Sequence, residues 1–160
     1  IQFTGSSKVA EHLAQKTRGK IRVEDAGFDW KILGPDVQNA DYVAWVSDQD
    51  AYAASGQKCS AQSIVFAHEN WVKAGFIDKI ATLSKRRKID DLTVGPVLTW
   101  DNTKIKAHID KILAIPGAKL SFGGNPLKNH SIPSVYGAFE PTAIEVPLDQ
   151  FVKNFALCSQ

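Results

Sequence analysis

Ser55-Gly56-Gln57-Lys58-Cys59-Ser60-Ala61-Gln62-Ser63-Ile64-Val65-Phe66-Ala67 is a loop of small and polar residues that runs into an apolar stretch. Ser63 to Ala67 reads as a strand. Before the loop, from about Ala40 to Ala54, the apolar residues Val43, Val46, Ala53 and Ala54 recur at helical spacing, and Ser55-Gly56 ends that helix. After the strand, Val72, Phe76, Ile77, Ile80 and Leu83 put one apolar face on a helix over Val72 to Leu83. Helix, loop, strand and helix follow one another, with a cysteine in the loop.

The alternation extends in both directions. Lys8 to Thr17 reads as a short helix, with Val9, Ala10, Leu13 and Ala14 on one side, Ser6 or Ser7 as its cap and Gly19 as its stop. Lys20 to Val23 and Trp30 to Leu33 read as strands, and Gly34-Pro35-Asp36 breaks the pattern before the next helix. A third long helix spans Thr103 to Leu113 with Ile105, Ile109, Ile112 and Leu113, and Pro116-Gly117 ends it. Lys119 to Phe122 is a strand and Gly123-Gly124-Asn125-Pro126 a turn; Thr142 to Val146 is the last strand, followed by Pro147 and a short helix. Strands alternating with helices imply an α/β layered architecture. No repeat and no Gly-, Ser- or Pro-rich linker marks a domain boundary.

At 160 residues the chain has single-domain length and buries roughly 70% of its unfolded surface. Hydrophobic residues at 44% and charged residues at 22% are ordinary globular values, which exclude a disordered tail or a coiled coil. A net charge of +2 is too balanced for a domain that lives on phosphate contacts, so no nucleic-acid partner is expected. The longest uncharged apolar runs fall short of the ~18 residues of a membrane span. Two cysteines, Cys59 and Cys158, do not make a disulfide scaffold. No targeting segment is visible, and a chain that opens Ile1-Gln2-Phe3-Thr4-Gly5 without methionine reads as an internal piece of something longer.

Glycine-rich dinucleotide and phosphate loops, the Gly-x-Ser-x-Gly elbow and His-Glu-x-x-His are all absent from the sequence. His12, His68, His108 and His130 are scattered, so no metal site is expected. Lys85-Arg86-Arg87-Lys88, at the end of an amphipathic helix, reads as a solvated face favoured by the helix dipole. Two readings of Cys59 stand side by side. Its polar loop and the neighbouring Lys58 favour a reactive thiolate, whereas free cysteines are often simply buried. Chemistry alone weighs the two evenly. Val23-Glu24-Asp25-Ala26-Gly27-Phe28 ends a strand on carboxylates against a glycine, and alternation keeps Glu24 and Asp25 from entering one site as a pair.

Phe3-Thr4-Gly5-Ser6, Glu24-Asp25-Ala26-Gly27-Phe28, Gly56-Gln57-Lys58-Cys59-Ser60-Ala61 and Gly95-Pro96-Val97 together resemble, in this order, the aldehyde dehydrogenase superfamily. Glu24 to Asp36, Ser55 to Phe66 and Asn129-His130-Ser131-Ile132-Pro133 look most like its plant-type Δ1-pyrroline-5-carboxylate (glutamate γ-semialdehyde) dehydrogenases. The similarity covers all but about the last ten residues. It implies a partial aldehyde-dehydrogenase-like catalytic domain, three-layered, with an open twisted sheet and flanking helices. Residues 1–26 would end the NAD-binding domain and residues 27–160 would form the incomplete catalytic domain. Most of the dinucleotide-binding sheet and the family's oxyanion-hole asparagine would lie elsewhere.

By the same resemblance, Cys59 attacks the aldehyde carbon and Glu24 is the general base for hydrolysis of the thioester. Gly5 and Ser6 meet the NAD pyrophosphate at a helix N-terminus, although Ser6 also reads as a plain N-cap. Val9 packs near the adenine. Lys58 and Ser60 bind the carboxylate of the substrate, and Phe28 walls its methylene chain. Family members carry Glu-x-Phe-Gly-Pro late in the catalytic domain. The stretch matched to it here is Ser134-Val135-Tyr136-Gly137-Ala138, with Ser134 in place of the glutamate that holds the nicotinamide ribose and Tyr136 as the aromatic. The implied function is NAD-dependent oxidation of glutamate γ-semialdehyde to glutamate, in proline catabolism, by a homo-oligomer of the mitochondrial matrix. The 160 residues alone are expected to be inactive. The alternative is a truncated fragment that only self-associates or binds full-length subunits.

Overall fold

The computed structural model describes residues 1–25, 27–90 and 93–159. Ala26, at which the expected domain boundary falls, lies outside them. Two βαβ units come first. β1 (Gln2–Gly5), α1 (Ser7–Lys16) and β2 (Arg22–Asp25) form one, with the strands parallel and Thr4 opposite Glu24. β3 (Asp29–Leu33), α2 (Ala40–Tyr52) and β4 (Gln62–Ala67) form the other, again parallel, with Trp30 opposite Ile64 and Leu33 opposite Ala67. Then come α3 (Glu69–Lys73), α4 (Phe76–Ser84) and α5 (Asn102–Leu113). β5 (Lys119–Phe122) pairs antiparallel with β6 (Ala143–Glu145), and α6 (Leu148–Lys153) and α7 (Phe155–Cys158) follow. The α/β class is as the alternation implies, and among the described residues the strands pair two by two in three sheets.

Several boundaries differ from the sequence reading. β2 starts at Arg22 rather than Lys20, so Glu24 and Asp25 lie within it. The expected helix over Val72 to Leu83 is two helices, because Gly75 adopts φ 77°, a left-handed conformation that ends one helix and begins the next. Phe76 and Ile80 are buried as their spacing requires, but Val72, on the far side of that break, is exposed. α5 begins at Asn102, where the Asp101 carboxylate accepts the Lys104 N–H at 2.8 Å. α2 ends at Tyr52 instead of Ala54, since Ala53 turns to an extended conformation.

The core gathers Ala44, Trp71, Phe76 and Ile80, with Leu33, Tyr52, Val65 and Phe122 against them. Trp71 meets Phe76 edge-on and donates its indole N–H to the Gly34 carbonyl at 2.7 Å. The side of α2 that enters the interior carries polar groups, Ser47 and Asp48, both fully buried. Asp48 accepts from the Arg87 guanidinium at 2.6 Å, and Arg87 also donates to the Asp48 and Thr93 carbonyls at 3.1 and 3.2 Å. This corrects the reading of Lys85 to Lys88 as a solvated face at Arg87, while Lys85, Arg86 and Lys88 are exposed as that reading expects. The Arg87 side chain is only 8% exposed, because the carboxylate on α2 is buried and needs a fixed cation. Burial, with Asp48 nearby, raises the Tyr52 hydroxyl pKa well above its usual range, and that hydroxyl donates to the Thr142 carbonyl at 3.1 Å.

Arg87→Leu leaves the buried Asp48 carboxylate, among the described residues, with only the Gln49 amide and the more distant Arg86, 3.7 Å away, and costs up to about 3–5 kcal/mol. The expected result is a large drop in the denaturation midpoint of the complete polypeptide. An Asp48→Leu/Arg87→Leu pair recovers most of it.

Candidate functional site

The parallel register between β3 and β4 sets Asp29 beside Gln62. The residues just before each strand therefore run side by side. Gly27 lies so close to the cysteine loop that a Cβ built on it would stand 1.6 Å from the Cys59 carbonyl oxygen. Only glycine permits this approach. Glu24 stands three residues upstream of Gly27 in β2, exposed, and no hydrogen bond or ion pair among the described residues engages its side chain. Gly27, two residues past the end of β2, thus meets the thiol loop backbone to backbone.

The Cys59 loop is built under backbone strain. Ala54, Ser55 and Gly56 have φ of 54°, 55° and 73°, three successive left-handed residues of which two carry a Cβ. Such residues cost of order 1–3 kcal/mol each and persist where the surroundings hold them. Ser55 Oγ donates to the Gly95 carbonyl at 2.8 Å and accepts the Gly95 N–H at 2.9 Å. Gln57 reaches the Pro96 carbonyl and the Leu98 N–H, each at 2.9 Å. Beyond the thiol, the Ala61 N–H closes a turn on the Lys58 carbonyl at 3.1 Å, and Ala61 is buried. Lys58, Cys59 and Ser60 are presented to solvent between these anchors. Cys59 is exposed in this chain, as the reactive-thiol reading expects. Among the described residues, the side chains of Lys58 and Ser60 have no hydrogen-bond or ion-pair partner. Phe28, half-buried, follows Gly27 on the same side of the loop junction.

β1 ends at Gly5 opposite Asp25, so the N-terminus of α1 adjoins the end of β2. Ser7 Oγ donates to the Asp25 carboxylate at 2.8 Å across that junction. Ser6 has the extended backbone of an N-cap, and its carbonyl accepts the Val9 and Ala10 N–H groups at 3.0 Å. Its hydroxyl makes no capping bond and is exposed. Val9 is exposed one turn on.

Tyr136 sits further off, partly exposed, in a segment whose Gly137 forms a paired bridge with Val97 at 2.7 and 2.9 Å. A Cβ on Gly137 would meet Ile105 Cδ1 at 2.5 Å and the Trp100 carbonyl at 2.6 Å. Val97 lies between the two residues gripped by Gln57, so this segment backs the cysteine loop rather than entering it. Sequence reasoning missed the roles of Ser55, Gln57 and Gly27. Gly27 alone left a local signal, a glycine two residues after a strand-end carboxylate pair.

An exposed thiol on a loop clamped to Gly95, Pro96 and Leu98, with the Gly27 backbone packed against it, defines a thiol-bearing α/β domain. The family model described as "Aldehyde dehydrogenase family" matches residues 1–151, and the chain belongs to that family. It is 64% identical over 160 residues to a probable aldehyde dehydrogenase of Linum usitatissimum, covering 99% of this chain and 29% of the relative. It is 62% identical over 152 residues to the mitochondrial Δ1-pyrroline-5-carboxylate dehydrogenase 12A1 of Arabidopsis thaliana, covering 95% and 27%. The chain thus spans less than a third of the length of these relatives. A crystal structure of succinate-semialdehyde dehydrogenase from Burkholderia pseudomallei superposes with a TM-score of 0.72 at 29% identity, over 89% of this chain and 30% of the other.

Gly27→Ala tests the junction. The added methyl collides with backbone, so the Cys59 peptide must shift, at a cost of about 1–3 kcal/mol. A lowered denaturation midpoint and an altered rate of Cys59 alkylation by iodoacetamide are the expected results.

Proposed function

We propose that the polypeptide carrying this chain oxidises glutamate γ-semialdehyde to glutamate with NAD, through a covalent intermediate on Cys59. The observation that supports this is an exposed Cys59 thiol on a clamped loop against whose backbone Gly27, three residues after Glu24, is packed. The Cys59 thiolate adds to the aldehyde carbon and gives a thiohemiacetal. The developing oxyanion takes the Cys59 backbone N–H. The nicotinamide group, when bound, accepts the hydride. A thioester remains on Cys59. The Glu24 carboxylate takes a proton from water as that water attacks the thioester carbon, the C–S bond breaks, and the acid leaves with the thiolate restored.

Gly5, Ser6 and Val9 are the proposed cofactor contacts, supported by the free Ser6 hydroxyl and the open end of α1. Tyr136 is proposed as an aromatic contact to the same cofactor, with Ser134 in place of the usual ribose-holding glutamate. The substrate ends in an α-carboxylate that needs donors, and the unengaged Lys58 ammonium and Ser60 hydroxyl supply them beside the nucleophile. Phe28 offers an apolar wall to the methylenes. A mitochondrial setting in proline breakdown is supported by the printed name of the Arabidopsis relative. Assembly as a homo-oligomer is part of the same proposal. No observation favours the alternative of a fragment that acts only by binding subunits.

In the complete polypeptide, Cys59→Ala abolishes turnover, and iodoacetamide labels Cys59 before the half-buried Cys158, whose thiol pKa is raised by burial. Retained turnover in Cys59→Ala would overturn the assignment. Glu24→Gln leaves a burst of NADH followed by a slow steady state, as stopped-flow absorbance reads it. Loss of the burst would move Glu24 to a step before hydride transfer.

Ser60→Ala separates the substrates. Catalytic efficiency with the amino-acid semialdehyde falls about tenfold or more, while that with an uncharged aliphatic aldehyde changes little. Equal losses on both would mean that Ser60 supports the loop and does not read the carboxylate.

A further inference from the structure

We infer that Gln57 is a positioning residue for Cys59, a brace that holds the nucleophile in line against the strain of its own loop. This rests on the reading of Cys59 as the nucleophile. Gln57 lies two residues before the thiol and directly after the three left-handed residues Ala54, Ser55 and Gly56. Its side-chain amide works in two directions. Nε2 donates to the Pro96 carbonyl at 2.9 Å and back to the Ala54 carbonyl at 3.2 Å, while Oε1 accepts the Leu98 N–H at 2.9 Å. One amide thus joins the strained loop to both ends of a three-residue segment, Pro96 to Leu98. That segment is itself fixed from behind by the Val97–Gly137 bridge.

The three partners explain the residue type. Glutamate keeps the Leu98 contact and loses both donors. Asparagine is one methylene shorter and cannot reach across. Methionine fills the space and makes none of the bonds. Ser55 performs a related task on Gly95, but it lies inside the left-handed stretch, so its loss disturbs the whole turn. Gln57 lies on the nucleophile's side of that stretch. Its removal frees Lys58, Cys59 and Ser60 while Ser55 and Ala61 still hold the loop at its two ends. A displacement of about 1 Å in a reacting group can cost on the order of a hundredfold in rate, which sets the scale of the effect.

The test uses Gln57→Met and Gln57→Glu in the complete polypeptide, with Cys59→Ala in parallel. For Gln57→Met the expected results are a kcat for aldehyde oxidation reduced by about 10²-fold and a KM within a few-fold of the parent. The pH midpoint of iodoacetamide alkylation at Cys59 stays unchanged, because a neutral brace fixes where the sulfur is and not its charge. Amide hydrogen exchange at Lys58 to Ser60 becomes faster. Gln57→Glu, which sets a carboxylate oxygen against the Pro96 and Ala54 carbonyls, also lowers kcat and serves as the readout if Gln57→Met does not fold. A parental kcat in the variants overturns the proposal. So does a shifted alkylation midpoint in the neutral Gln57→Met, which would make Gln57 a modulator of the thiol's ionisation. Turnover by Cys59→Ala would instead bring down the reading of Cys59, and the hydrogen-exchange arm would still report on the brace.

Discussion

The buried pair of Asp48 and Arg87 holds together what the rest of the molecule needs. Asp48 comes from the middle of α2, and Arg87 comes from just past α4. The same guanidinium captures the Thr93 carbonyl. One cation therefore fixes two helices and the start of the segment that runs on to Gly95, Pro96 and Leu98. That segment receives Ser55 and Gln57. A chain of short polar contacts leads from a charge in the interior to an exposed thiol. Planarity and several fixed donors make arginine the suitable residue, since one lysine ammonium could not serve a carboxylate and two separate carbonyls with the same geometry.

The thiol loop shows how a strained backbone can be kept in a fold of modest size. Three left-handed residues in sequence have little to recommend them locally. They are tolerated because side-chain oxygens and an amide from the loop itself bind backbone groups about forty residues away. The glycine at position 27 contributes by absence. With no Cβ, it lets the backbone between β2 and β3 rest on the Cys59 carbonyl. Gly27 and the loop with Cys59 meet backbone against backbone, and no side chain is spent on the contact.

Much of the fold was legible because periodicity reports burial. The strand before α3, the apolar face of α4 and the isoleucines of α5 were found by spacing alone. Where the reading failed, the cause was a polar group or a dihedral angle. The inner side of α2 was missed because Ser47 and Asp48 look like surface residues until Arg87 is in place. Arg87 was assigned to solvent for the same reason. The break at Gly75 required knowing that this glycine takes a positive φ and does not merely weaken a helix. Cys59 and Glu24 could be singled out from motif resemblance. The hydrogen bonds from Ser55 and Gln57 join positions with no relation in local sequence.

Apolar burial is unevenly shared between the two βαβ units. The packed cluster of Ala44, Trp71, Phe76 and Ile80 belongs to the second unit and the helices after it. In the first unit, Ala10 is the only buried apolar residue among those described, and every residue of β2 is exposed. Local opening of a structure begins where least is buried. The N-terminal end of α1 thus lies in the part of the described molecule with the least apolar burial, while the thiol loop lies beside the part with the most. A cofactor seated there would do more than supply chemistry, because binding energy adds to the stability of whatever it requires to be folded. Its largest effect would fall on the strand that carries Glu24.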